Sequence, residues 1–219
     1  MMWSFKNNFA RKAIASLAIA FAMVFMAMRS PALAHHPFGG ETPTNFIGGF
    51  LSGLGHPIIG LDHFAFVVAV GLLAVLQKRL GILIPAAFAV ATALGTIIHL
   101  QSMNLPLPEI VIALSVLLIG ISLAWGKNFN LVLLIFLSAI AGMFHGFAYG
   151  EAIFGAEMTP LSAYLLGFVS IQLFVSAIAY YWGRLTIDNI ERSNFLPLRF
   201  AGCAIAGIGI AFLSGALFG

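Results

Sequence analysis

Polar positions come late and rarely along this chain. After a basic start, apolar residues run from 13 to 28, and six further apolar stretches follow at about 58–76, 80–100, 109–125, 129–149, 161–182 and 197–218. Each of the six is near the ~20 residues that cross a bilayer as a helix. Lipid cannot satisfy backbone N–H and C=O groups, so a helix is the expected form of each span. The segment 45–55 is apolar and glycine-rich but too short to cross, and reads as a half-helix or a re-entrant segment. The expected fold is therefore all-α: a polytopic membrane bundle of six transmembrane helices, 58–219, after a periplasmic N-terminal segment, 35–57. No soluble domain of useful size is left over.

Composition excludes most alternatives. Of 219 residues, 61% are hydrophobic and 8% charged, against the ~25% charged that cover a soluble domain. Mean hydropathy is +1.05. The net charge of +3 does not point to nucleic acid. Lys6, Arg11, Lys12 and Arg29 lie in the first 30 residues, where there is no acid, and the rest of the chain is slightly negative. Cys203 is the one cysteine, which excludes an internal disulfide and a cysteine-rich cluster.

The basic start, the apolar run and Ala32-Leu33-Ala34 have the form of a secretory signal peptide, 1–34, cut after Ala34. Cleavage would present His35-His36-Pro37, an α-amine beside two imidazoles and a metal-binding candidate. The remaining cations, Lys78, Arg79, Lys127, Arg184, Arg192 and Arg199, all fall in loops or span ends on one side. The positive-inside rule makes that side cytoplasmic and the mature N-terminus external, as signal cleavage also requires. The expected location is the bacterial inner membrane.

Small residues recur at every fourth position: Ala87, Ala91 and Gly95; Ser138, Gly142, Gly146 and Gly150; Cys203, Gly207, Ala211 and Gly215. Such stripes let helix backbones approach.

Ionisable side chains in a membrane are costly and point to function. His35, His36, His56, His63, His99 and His145, with Asp62, Glu109, Glu151 and Glu157, all map to the outer half, where the mature chain places no Lys or Arg. Imidazoles and carboxylates without cations suit a divalent transition metal. In Gly55-His56-Pro57-Ile58-Ile59-Gly60-Leu61-Asp62-His63, Pro57 suits a first helical turn. His56 would then sit at the mouth of span one, with Asp62 and His63 two turns down. Adjacent residues point ~100° apart on a helix, so both reach one ion only if Gly60 distorts it or Asp62 orients His63 from behind. In Phe144-His145-Gly146-Phe147-Ala148-Tyr149-Gly150-Glu151, Tyr149 is placed to hydrogen-bond His145 four residues earlier. His99, Glu109 and Glu151 are accessory candidates for metal binding or gating. Gln172 and Ser176, one turn apart in span five, are placed to bond across helices or to line a path.

His56, five residues, then Asp62-His63 resembles the signature of the HupE/UreJ family, small bacterial membrane proteins regarded as nickel and in some members cobalt permeases. Phe144-His145-Gly146 with Ala148 and Gly150 resembles the family's second signature, and the likeness covers nearly the whole chain. The family pattern carries an acid two residues beyond the glycine matching Gly150; here Ala152 stands there and Glu151 comes one earlier. The resemblance implies metal roles for His56, Asp62, His63 and His145.

The leading expectation is a non-enzymatic permease that imports nickel or cobalt from the periplasmic side. Its partners would be the metal ion and membrane lipid, with no nucleic acid and no organic cofactor. An intramembrane zinc hydrolase would draw on the same ligands, although His-Glu-x-x-His is absent. A metal-binding accessory protein that moves no ion is the third reading.

Overall fold

The computed structural model describes residues 42–77, 80–127, 129–188 and 196–219. The expected signal peptide, His35 and His36 lie outside the described residues, as do Lys78, Arg79 and Arg192. The described residues form seven α-helices and a short 3-10 turn, with no strand: α1 (Phe46–Ile59), α2 (Leu61–Leu76), α3 (Leu83–Leu100), α4 (Pro108–Trp125), α5 (Leu131–Gly150), the 3-10 turn (Glu151–Ile153), α6 (Met158–Asp188) and α7 (Leu196–Phe218). Five helices are long and apolar enough to cross a membrane, and the bent pair α1–α2 makes a sixth when taken as one span.

That bend is where sequence and structure part. Pro57 was expected to open span one, but it lies inside α1, in its last turn. Proline has no N–H to continue the helical ladder, and Gly60 then turns extended, with its N–H on the His56 carbonyl at 3.3 Å. The chain bends by 82° before α2 begins. Asp62 sits in the first turn of α2 and its Oδ1 accepts the His63 N–H at 2.9 Å. An acid there is favoured by the helix dipole. His56 thus comes from the end of one helix and His63 from the start of the next.

Glycines bring several helix pairs into close contact. Gly49 and Gly53 of α1 lie against the backbone of Pro160 and Tyr164 in α6, and Gly167 of α6 against Phe50. Gly95 of α3 meets Met143, while Gly142 and Gly146 of α5 meet Phe88 and Thr92. Gly120 of α4 meets Ala206, while Gly202 and Gly209 of α7 meet Ala124 and Leu117. The expected stripe on the last span is therefore corrected. Cys203 is exposed, and nothing lies within 4 Å of a Cβ at Gly207 or Gly215. The packed face is one register over, because Gly202 and Gly209 stand seven residues apart, two helical turns.

Helix α2 occupies the centre, touching α3, α4, α6 and α7. Its Phe66, Val70 and Leu73 form the apolar core with Phe88, Val116 and Leu123. Outward faces carry large apolar groups such as Val132, Phe136 and Phe174, and buried polar groups gather inside. This inversion of a soluble fold belongs to a multi-pass membrane protein. Lys127, Arg184 and Arg199 lie at one end of the bundle, where Arg199 Nε donates to the Ala124 carbonyl at 2.9 Å. Exposed Trp125, Tyr181 and Trp182 ring that end, as aromatic side chains do at a membrane surface.

Candidate metal site

The bend brings His56, His63, Tyr149 and Tyr164 together at the other end of the bundle. His56 is 4% exposed, His63 3%, Asp62 8% and His145 0%. The His56 and His63 ring centres are 6.3 Å apart, and the Tyr149 ring lies 5.0 Å from His56 and 4.6 Å from His63. Two imidazoles bonded to one ion at ~2.1 Å place their ring centres roughly 4.5–6.5 Å apart. As they stand, no three His, Cys, Asp or Glu side chains among the described residues converge on one point.

Hydrogen bonding orients each ring through a named nitrogen. Tyr164 Oη has one proton, which goes to the Tyr149 carbonyl at 2.9 Å. His56 Nδ1 is 3.3 Å from the same oxygen, so Nδ1–H of His56 must be the donor there. In the neutral form of that ring the lone pair is then on Nε2. A parallel chain runs from Ser115. Its hydroxyl proton goes to the Ile112 carbonyl at 2.7 Å, so His145 Nε2–H donates to Ser115 Oγ at 3.0 Å. His145 Nδ1 is therefore an acceptor, and it receives Nδ1–H of His63 at 2.8 Å. Neutral His63 likewise has its lone pair on Nε2. Two hydroxyls, each already committed to a backbone carbonyl, set two imidazoles in the tautomer that binds a metal through Nε2.

His145 uses both ring nitrogens inside the protein, within an apolar cage made by Phe66 at 4.7 Å and Phe88 at 5.4 Å. The expected Tyr149–His145 bond is not formed. Tyr149 Oη is buried and has no hydrogen-bond partner among the described residues; its ring lies tilted against His63 and edge-on to His56. Gly60 makes room at the bend: a Cβ there would come within 2.7 Å of His63 Cδ2 and 3.4 Å of Asp62 Oδ1.

The accessory candidates lie apart from this group. His99 packs its ring 4.6 Å from Phe147 and 5.9 Å from Phe154, and its Nδ1 has no partner among the described residues. Glu109 is exposed in the first turn of α4, and Glu151 is exposed in the 3-10 turn. Ser115 and Tyr164 were not singled out in the sequence. The only signal there was a hydroxyl inside an apolar run, which Ser122, Ser138 and Ser170 share.

A profile of the HupE / UreJ protein family matches residues 22–212. Protein HupE of Rhizobium leguminosarum bv. viciae is 28% identical over 190 residues, which cover 86% of this chain and 94% of that protein. No solved structure matches the chain. With the family profile spanning most of the sequence, over the same helices that carry both histidine motifs, the chain belongs to the HupE / UreJ family.

Proposed function

We propose that the protein is a permease for a divalent transition-metal cation, nickel or cobalt, taken up from the side opposite its cationic loops. The observation that supports this reading is the burial of His56 and His63 side by side in an apolar bundle, with ring centres 6.3 Å apart, where Tyr164 and the Ser115–His145 pair hydrogen-bond their Nδ1 atoms. Imidazole suits nickel, cobalt, copper and zinc, and the resemblance implies the first two. His56 and His63 are the ligands in this reading. Asp62 adds negative charge, the Tyr149 hydroxyl adds an oxygen, and His145 orients His63.

The positive-inside rule makes the Lys127, Arg184 and Arg199 end cytoplasmic. Capture is then periplasmic, in an inner membrane, with the mature N-terminus outside. An inside-negative potential draws in a divalent ion by ~2.3 kcal/mol per charge per 100 mV, so no chemical reaction is needed to drive entry.

The test is nickel and cobalt uptake by proteoliposomes under an imposed inside-negative potential. Wild type should accumulate metal, and His63→Ala should not. Tight binding by wild type without uptake, with any coupling ion supplied, would replace the permease with an accessory metal-binding protein.

A further inference from the structure

Helices α4 and α7 meet at the end of the bundle that carries the cations. Gly126 closes α4 in the left-handed region, at φ +67°, and its N–H is shared between the Ser122 and Leu123 carbonyls. The stem of Arg199, in the first turn of α7, lies against it. A Cβ at Gly126 would stand 3.8 Å from Arg199 Cγ and 3.9 Å from Cδ. Lys127 follows Gly126 directly, so cations from two helices flank one glycine.

Both side chains are held by the protein. Arg199 Nε donates to the Ala124 carbonyl at 2.9 Å. Lys127 Nζ lies 4.6 Å from the centre of the Trp125 ring, a cation–π distance. A long basic side chain ordinarily gives up rotamer freedom when it binds, and here part of that ordering is already done. Neither cation is neutralised: no carboxylate pairs with Lys127 or Arg199 among the described residues. The guanidinium spends only its Nε–H on Ala124, and the N–H groups of both Nη atoms remain to donate.

The surface beside them is apolar. Trp125 and Phe200, the neighbours of Lys127 and Arg199, are both exposed. Tryptophan belongs at the level where headgroups meet acyl chains, which puts the two cations among the headgroups.

We infer that Lys127 and Arg199 bind the phosphate of an anionic phospholipid, whose acyl chain lies along Trp125 and Phe200. Charge complementarity selects this occupant. A zwitterionic lipid brings its own cation to the phosphate, and a soluble anion leaves the aromatic surface uncovered. Basic pockets at the ends of membrane helices take such headgroups, and a planar guanidinium suits a phosphate in particular. The lipid would tie α4 to α7 at their ends, continuing the seam that Gly120, Gly202 and Gly209 make between them. This site stands apart from the histidines and holds whether or not the protein moves metal.

Trp125 is a built-in reporter, because bromine on a lipid chain quenches a tryptophan it touches. The full-length protein carrying Trp3→Phe and Trp182→Phe is reconstituted in mixtures of brominated phosphatidylglycerol and plain phosphatidylcholine, and in the converse mixtures. Quenching should show phosphatidylglycerol preferred at Trp125 by about tenfold or more. Lys127→Gln should lower that preference about fivefold, the share of one cation at a membrane surface, and Arg199→Gln at least as much. Lys127→Gln alters only an exposed side chain, which keeps the test open if Arg199→Gln does not fold. Arg184→Gln, at the same end of the bundle but on α6, should change the preference less than about twofold. Equal quenching by the two lipids in the parent protein would overturn the site, as would a preference that Lys127→Gln leaves intact. A loss from Arg184→Gln as large as that from Lys127→Gln would assign the preference to the charge of the whole surface. A comparable loss on adding inorganic phosphate would assign it to a soluble anion. Either result also overturns the lipid site.

Discussion

Removing one oxygen, in Tyr164→Phe, tests whether the proton chains matter. Tyr164 is fully buried, and its hydroxyl both donates to the Tyr149 carbonyl at 2.9 Å and accepts from His56 Nδ1 at 3.3 Å. Phenylalanine keeps the ring, including its contact with Phe168 at 5.4 Å, so packing changes little. The Tyr149 carbonyl loses its donor, which costs stability about 1–3 kcal/mol. The larger effect is on His56, whose proton is no longer held on Nδ1 and can move to Nε2, where it blocks the metal. Loss of a group that orients a metal-binding histidine typically weakens affinity about 10–100-fold, or ~1.4–2.8 kcal/mol. Titration calorimetry of nickel into the detergent-solubilised protein reads this directly, with a thermal melt to show that the fold survives. In a His56→Ala background the same change should cost nothing further, because its route is gone. Wild-type affinity in folded Tyr164→Phe, or losses that simply add in the double variant, would refute the reasoning.

The second chain makes a matching prediction. Ser115→Ala should weaken nickel binding through His145 and His63 by about tenfold or more, and Ser115→Thr, which keeps the hydroxyl, should bind as wild type does. Gly60→Ala should displace the His63 ring, since the new Cβ comes within 2.7 Å of Cδ2; lower nickel affinity in a protein that still folds is the expected result. Gly146→Val should fail to accumulate as folded protein, because the side chain meets the Thr92 backbone, an overpacking beyond the ~1–3 kcal/mol usual for cores. Gly207→Ala, with nothing within 4 Å of its Cβ, should leave stability in a thermal melt unchanged or raise it by up to ~1 kcal/mol of helix propensity.

The spans were legible because a membrane demands long apolar helices, and that demand is written in composition. His56 and His63 were legible as candidates because an imidazole inside an apolar run is costly. Their relation was not. Reading Pro57 as a helix start put His56 and His63 on one rod, whereas Pro57 and Gly60 together end one helix and begin another. The 82° bend is a tertiary outcome, fixed by α1 lying against α6 through Gly49, Gly53 and Gly167. Tyr149 was paired with His145 from helical spacing alone. In the fold, the nitrogens of His145 are taken by residues 82 and 30 positions away, which no local pattern reveals. Gln172 and Ser176 were visible as polar residues in span five and do bond across helices.

The central claim is that His56 and His63 hold the cation through Nε2. X-ray absorption on the nickel-loaded protein counts imidazole ligands by their characteristic outer-shell scattering. The account predicts at least two in wild type and one fewer in either His56→Gln or His63→Gln. A shell of oxygen ligands alone, or an imidazole count unchanged by both substitutions, would contradict it.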